Sequence, residues 1–376
     1  MCCCATVRAQ TYTLQQCREM ALNHSEELQK AGISVERAAL DKQIAFAGYL
    51  PQIDASLMGV VMKNIDMSGT ELILRGTYLA GITLNQPIFV GGKILTANKL
   101  AKVGQKVSEE QLRQQRQQCI ADVDRAFYTL VRVRAKEQML ENLQAQLDSL
   151  LAQVRTVVSA DMATEADQLR VEAKRSEVDY NLQKARGGEK LCRMVLCSAI
   201  GLELDAPIDV ADDACFQPEF ETLRADISLR PEVSLLESSV EAKKLQIRMA
   251  RADLLPTVAL SLGYTYFGNI KMRSMVMGPG GTYFPYENTM RDGIPMAMLS
   301  AKIPIFHLGD YKKLKQAKLD VKTAQLDLQK NSRLMSIEVQ QAIQALEDAR
   351  RLIATATVGH QQAAENLLVM RLRHSS

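Results

Sequence analysis

Between Lys93 and about Ile200 the apolar positions fall into heptad seams. Ile120, Val123, Phe127 and Leu130 are spaced 3, 4, 3, and Leu140, Leu143, Leu147, Leu150, Val154 and Val157 are spaced 3, 4, 3, 4, 3. This a/d spacing predicts a helix packed knobs-into-holes against partner helices. Gln, Arg, Glu and Lys occupy its other faces. A helix from Lys93 to Val158 is roughly 100 Å long at ~1.5 Å per residue. No globular core covers a helix of that length, so it needs partners along its stripe. A turn is predicted near 159–167 (SADMATEAD). A return arm follows through Leu169, Val178, Leu182, Leu191 and Leu196, interrupted at Gly187-Gly188 and stopped at Gly201. Leu314, Ala317, Val321, Ala324 and Leu328 begin a further stripe of the same kind.

Elsewhere the period is two. A helical pattern from Leu14 to Gly48 ends before Pro51, because proline disfavours the α region in the residue preceding it. Ile53, Ala55 and Leu57 then alternate with Gln52, Asp54 and Ser56, which predicts a strand with one apolar face. After a polar break at 62–71, Tyr78, Ala80, Ile82 and Leu84 alternate with Thr77, Gly81, Thr83 and Asn85. The run closes with Gln86-Pro87-Ile88-Phe89-Val90-Gly91-Gly92. Val258, Leu260, Leu262, Tyr264 and Tyr266 oppose Thr257, Ser261, Gly263 and Thr265, and Ala297, Leu299 and Ala301 oppose Met298, Ser300 and Lys302. The segment 268–295 between the last two strands reads as a loop.

The chain also repeats itself. Leu50-Pro51-Gln52-Ile53 returns as Leu255-Pro256-Thr257-Val258, and Pro87-Ile88-Phe89 with Gly92 returns as Pro304-Ile305-Phe306 with Gly309. The repeated unit is helix, strand, loop, strand, long helix, with strand-to-helix turns at Pro87, Gly92, Pro304 and Gly309. Two strands per unit are not stable alone, and four make a sheet whose edges other copies must close. A barrel shared between subunits turns the apolar face to lipid and the polar face to a lumen. The lipid-facing set is then Tyr78, Ile82, Leu84, Leu260, Leu262, Tyr264 and Leu299. The lumen set is Thr77, Thr83, Asn85, Thr257, Ser261, Ser300 and Lys302.

Composition narrows the function. Aromatic residues make up 5% of the 376 residues and Trp is absent, which is low for a compact enzyme core. A net charge of +3 gives no electrostatic case for nucleic acid. No apolar run is long enough for a transmembrane helix. The eight cysteines fit no zinc spacing and read as small buried hydrophobes. His24, His307, His360 and His374 have no ligand-spaced partners. Met272, Met275, Met277 and Met290 could supply thioethers to a soft metal, yet a loop is the better reading. No catalytic constellation stands out, so neither an enzyme nor a cofactor is expected. Val7-Arg8-Ala9 ahead of Gln10 resembles the end of a secretory signal, so 1–9 reads as a signal-peptide remnant.

The Leu-Pro strand starts, the Pro-Ile-Phe-x-x-Gly strand ends, the long hairpin and the two-fold repeat together resemble the TolC family of outer-membrane efflux channels. Asp161-Met162-Ala163-Thr164-Glu165-Ala166-Asp167-Gln168-Leu169 is similar to that family's Gly-x-Ala-Thr-x-x-Asp-x-Leu hairpin tip. Arg230-Pro231-Glu232-Val233 is similar to its helix start, with Asn23-His24-Ser25-Glu26-Glu27-Leu28 as a degenerate copy. The resemblance implies a mainly α fold with membrane β: long coiled-coil-like hairpins, and four strands per chain in a twelve-stranded barrel of a homotrimer. It places the protein in the outer membrane of a Gram-negative bacterium, extending into the periplasm. Its role there is a passive exit duct, with a periplasmic adaptor protein and an inner-membrane efflux transporter as partners besides outer-membrane lipid. Asp161, Met162, Ala163, Thr164, Asp167 and Leu169 become the adaptor contact. The organisation expected is a remnant at 1–9, a first repeat at 10–201, a connector at 202–220 and a second repeat at 221–376. The counterpart of Asp161 falls one residue past Ser376, so the second hairpin is expected to lack its tip and return arm. A periplasmic adaptor with a single hairpin, or a pore-less coiled-coil scaffold, is the alternative; the doubled strand unit argues against both.

Overall fold

A computed structural model describes residues 10–67, 70–162, 164–211 and 226–375. The segment 1–9, Ala163, most of the connector, and Cys2, Cys3, Cys4 and Cys215 lie outside the described residues. Contacts divide the chain into two compact units. The first draws on the described residues of Met1–Glu36, Ser108–Glu232 and Ser336–Ser376, and the second on Arg37–Val107 and Val233–Met335. Each unit therefore takes segments from both sequence repeats.

In the first unit, strand β1 (Gln10–Tyr12) leads into α1 (Leu14–His24). Thr13 starts α1 with a reciprocal cap: its hydroxyl accepts from the Gln16 N–H at 3.3 Å, and its own N–H donates to Gln16 Oε1 at 2.9 Å. The helical pattern from Leu14 to Gly48 is divided at Ser25, within the segment similar to a helix start. There ψ is 115°, and the hydroxyl accepts from the Leu28 N–H at 3.3 Å, so Ser25 caps a new helix, α2 (Glu26–Ala47).

The long helix is present as α3 (Lys93–Ser159), 67 residues, and its return arm as α4 (Glu165–Ile200). Leu140, Leu143 and Leu147 pack with Val178, Leu182 and Ala185. Beyond Leu147 the buried seam leaves the expected track. Leu150 and Val157 are exposed, while Leu151 is buried and Val154 and Val158 are half-buried. A straight α-helix drifts about 20° per heptad against a strict seven-residue repeat, so the contact line slides one position. Gly187-Gly188 does not interrupt α4. Burial of Leu182 and Ala185 before the pair and of Leu196 and Cys197 after it outweighs the helix cost of about 1 kcal/mol per glycine. Leu191 faces outward.

A second core joins Cys17 and Ala21 of α1, Val123, Phe127 and Leu130 of α3, Leu196, Cys197 and Ile200 of α4, and strand β6 (Ile208–Val210). β6 pairs in parallel with β1, so the segment read as a connector contains a strand. Cys17, Cys119 and Cys197 are free and buried here, and burial pushes the Cys17 thiol up to about 11. Arg18 donates twice to Asp124 at 2.7 Å, and Arg134 bridges Glu189 and Asp209.

In the second unit the strands are β2 (Gln52–Val60), β3 (Ile65–Met67), β4 (Thr70–Ile73), β5 (Thr77–Val90), β7 (Thr257–Met277) and β8 (Tyr283–Lys302). Their order is β2-β5-β7-β4-β3, with β8 on the other side of β7. All pairs are antiparallel. Helix α5 (Pro231–Ala252) buries Val240, Leu245 and Ala252. Helix α6 (Leu308–Ser375) buries Val321 and half-buries Leu314, Ala317, Ala324 and Leu328, the stripe expected from spacing.

Gly201 ends α4 at φ 77°, and a Cβ there would stand 2.5 Å from that of His24. Gly201→Ala combines a left-handed backbone with this clash, so a loss of about 1–3 kcal/mol is expected. A lowered melting temperature in detergent, followed by circular dichroism, checks it; an unchanged one would show that α1 yields.

Candidate functional site

The register sorts the four long strands into two unlike faces. Directly opposed residues share a face. Ile53, Ala55 and Leu57 oppose Leu84, Ile82 and Ala80, which in turn oppose Leu262, Tyr264 and Tyr266. Leu260 and Leu262 oppose Leu299 and Ala297. Every residue expected to face lipid thus lies on one face. On β7 that face runs uncharged from Val258 to Tyr266, nine residues. A tilted strand of about 9–11 residues crosses a bilayer.

The other face carries the expected lumen set. Gln52, Asn85, Ser261 and Met298 form one row across the sheet, and Asp54, Thr83, Gly263 and Met296 form the next. Ser261 donates to Asn85 Oδ1 at 2.7 Å, and Ser300 donates to the Ala259 carbonyl at 3.3 Å. Thr257 opposes Lys302. Two features differ from the expectation. Thr77 is on this face but buried, its hydroxyl 3.5 Å from the Asn269 carbonyl. On β8 the face is less polar than read, because Ile294, Met296 and Met298 precede Ser300.

One end of the apolar face is marked by tyrosines seated over glycines. Tyr78 covers Gly268, where a Cβ would collide with its ring, and Tyr264 covers Gly293 in the same way. Tyr78 and Tyr266 approach with centroids 6.3 Å apart. Rings at the edge of an apolar band are the pattern of an interfacial belt.

Just past these rings the ladder breaks at one level. Residues 61–64 and 74–76 leave it, and β7 carries an extra residue between Phe267 and Ile270. Gly76 has φ 82° and Asn269 φ 60°, with the Asn269 amide donating to the Gly76 carbonyl at 3.0 Å. Beyond the break the sheet resumes. Met62–Glu71, read as a polar break, holds β3 and the start of β4, and most of 268–295, read as a loop, is paired strand. Arg273 bridges Glu71 and Glu287 there, at 3.4 and 3.1 Å. This extension was missed because it sustains no alternation of apolar and polar residues. The available signal was Gly278-Pro279-Gly280-Gly281, the turn between β7 and β8, where Gly280 and Gly281 have φ 99° and 81°.

At the strand-to-helix turns the two halves differ. β5 bulges at Ile88 after Pro87 and reaches α3 through Gly91 and Gly92, at φ 63° and 79°. Gly91 is the restrictive position: a Cβ would lie 2.6 Å from the Ala252 carbonyl. Pro304 precedes α6, but Gly309 sits inside the first helical turn with open space around it.

The hairpin tip is a compact reversal. Asp161 takes φ 58°, the left-handed residue that ends α3, and the N–H groups of Asp161 and Met162 donate back to Val158 and Val157 at 3.0 Å. Thr164 then caps α4. Its hydroxyl donates to Asp167 at 2.6 Å and accepts from the Asp167 N–H at 3.3 Å. The Thr164 hydroxyl, then the Thr164 N–H, hold the Asp167 carboxyl below its ordinary 3.8. Met162 and Leu169 are left exposed beside this cap.

The family model described as outer membrane efflux protein matches residues 17–187 and 225–376. No curated protein matches the chain by sequence. Among solved structures it is similar to CusC, at 17% identity and a TM-score of 0.65, over 90% of this chain and 75% of that one. It is similar to VceC of Vibrio cholerae, at 16% identity and a TM-score of 0.64, over 85% and 75%. The open-state MtrE channel of Neisseria gonorrhoeae aligns at 18% identity and a TM-score of 0.63, over 88% and 71%. At these identities the likeness shows the fold.

Two outcomes follow from this geometry. Asp167 has a depressed pKa, so its cap is fully present above the unfolded aspartate value and is lost as pH falls through the depressed one. Hydrogen exchange in the first turn of α4, corrected for intrinsic rates, should stay slow at pH 5 and rise only below 3.8; Thr164→Ala should move that rise to higher pH. At the turns, Gly91→Ala should destabilise by more than about 1 kcal/mol, whereas Gly309→Ala should be neutral or stabilising by up to about 1 kcal/mol. Melting temperatures of the two variants decide this.

Proposed function

Because this chain belongs to the outer membrane efflux protein family, we propose that three copies close one twelve-stranded barrel and line a helical duct. The protein's place is the outer membrane, and its role is passage outward. The observation that carries the trimeric reading is the sheet itself. It has one uncharged face of bilayer height and two bare edges, β2 and β8. No helix among the described residues is long and apolar enough to cross a membrane. In lipid an open edge leaves backbone groups unsatisfied, at several kcal/mol each, so the sheet must close. Two copies would give eight strands, an interior that side chains fill; three give a lumen wide enough for water.

The polar face then lines the passage. Asp54, Thr83, Asn85, Ser261, Ser300 and Lys302 shape its field without a narrow selective site, in keeping with a passive conduit driven from elsewhere. An inner-membrane efflux transporter supplies the driving force in this reading. The hairpin tip is the docking point for a periplasmic adaptor. Its support is the left-handed Asp161 and the exposed Met162 and Leu169 beside the Thr164–Asp167 cap. The doubled helix–strand unit gives each protomer its two hairpins of the barrel.

The test compares neighbouring positions on β8 that point to opposite faces. Leu299→Lys should cost about 2–4 kcal/mol and reduce assembly, as a lysine facing mid-bilayer does. Ser300→Lys should leave assembly intact and shift the channel toward anions. Native mass of the detergent-extracted outer-membrane protein and bilayer conductance read both. A monomeric parent chain, or equal effects of the two lysines, would sink the barrel reading.

A further inference from the structure

Among the described residues no group of three or more His, Cys, Asp and Glu side chains is placed to hold a metal ion. Methionine sulfur is the donor type left. Met272, Met275, Met277 and Met290 do not gather: beyond the ladder break Met272 and Met290 lie on one face, Met275 and Met277 on the other. Within the four strands at bilayer height the register is more selective. Their methionines are Met58, Met296 and Met298, and all three lie on the polar face. Lipid would reward a methionine on the opposite face, at roughly 25 cal/mol per Å² of apolar surface taken from water. A wet face gives no such return. Met58 has apolar neighbours in its row, Leu79 and Phe267. The rows of Met296 and Met298 hold none. Met298 stands in line with Gln52, Asn85 and Ser261, and Met296 with Asp54, Thr83 and Gly263. Apolar packing across the sheet therefore does not account for this pair.

We propose that Met296 and Met298 form a wall site for a soft monovalent metal ion, Cu(I) or its analogue Ag(I), moving through the passage. This rests on the trimeric reading above. Alternate residues of one strand share a face and stand about 7 Å apart at ~3.3 Å per residue. Both side chains are long, unbranched and freely turning, so the two sulfurs can meet on one ion. A thioether is a soft donor, suited to Cu(I) and poorly suited to the hard cations that prefer oxygen. Two neutral sulfurs also hold an ion loosely. A conduit needs this, because an ion must bind well enough to enter and weakly enough to leave. In the trimer β8 closes against β2 of the next copy, and β2 carries Asp54 and Met58 on the same polar face. A carboxylate and a further thioether therefore line the seam that holds the pair. The passage thus takes soft metal ions among its cargo, with one such site at each seam between copies.

The test compares the full chain, extracted from outer membranes, with the double variant Met296→Leu, Met298→Leu. Leucine keeps the volume and apolar character of methionine and removes the sulfur, so the fold is retained. Silver nitrate in chloride-free buffer is the probe. Native mass should show the parent holding one silver ion more per chain than the variant; the cysteines are common to both and cancel. In bilayers silver should shift the parent's reversal potential toward anion preference, since each bound ion adds a positive charge to the wall, and washing should restore it. The variant should lose that shift. A trimeric parent that holds no more silver than the variant, whose reversal potential ignores silver, or whose shift the variant matches in size, overturns the site and leaves the barrel untouched. A parent chain that is no trimer removes the barrel reading and the wall site with it.

Discussion

The backbone groups along β2 and β8 are the constraint on which the rest depends. In water a bare strand edge is a liability; in lipid it is not tolerated. Among the described residues four strands reach bilayer height, too few to curl round on themselves. In the proposed barrel further copies supply the closure, and every other feature has to be compatible with that. The helices leave the sheet at one end only, through Gly91 and Gly92 on one side and Pro304 on the other. The apolar and polar faces keep their sense through four strands, since one slip in register would turn leucines into the lumen.

The helical part answers a different demand. Long polar helices gain little from propensity and much from packing. Here that packing is supplied in patches: Phe127 and Leu130 against α1, α4 and β6, then Leu140 and Leu143 against Val178 and Leu182. Between and beyond these patches many apolar residues stay exposed, among them Tyr180, Leu191, Val195 and Ile353. Such surfaces suit an assembly in which neighbouring helices complete the contact.

Most of this was legible in the sequence where period and environment agree. Alternation at 52–57, 77–85 and 257–266 marked strands because one face is apolar and the other wet. Heptads marked the hairpin for the corresponding reason. The misses have physical causes. At Ser25 the spacing is helical on both sides, and only the resemblance of 23–28 to a helix start marked the break that its cap geometry makes. β1 and β6 are three residues each, too short for any period. The seam beyond Leu147 drifted because linear spacing ignores the mismatch between 3.5 and 3.6 residues per turn. The part of the sheet beyond the ladder break sustains no alternation to read. At the tip, the resemblance set a glycine at position 161, and Asp161, standing there, takes φ 58°.

The tyrosines seated over Gly268 and Gly293 carry one more consequence. A ring parked where a neighbour lacks a side chain cannot swing freely, so its height along the strand is set by the glycine beneath it. In the proposed barrel the height of the boundary between oil and water is then set by two absent methyl groups, and a membrane of another thickness would have to stretch or thin to meet it.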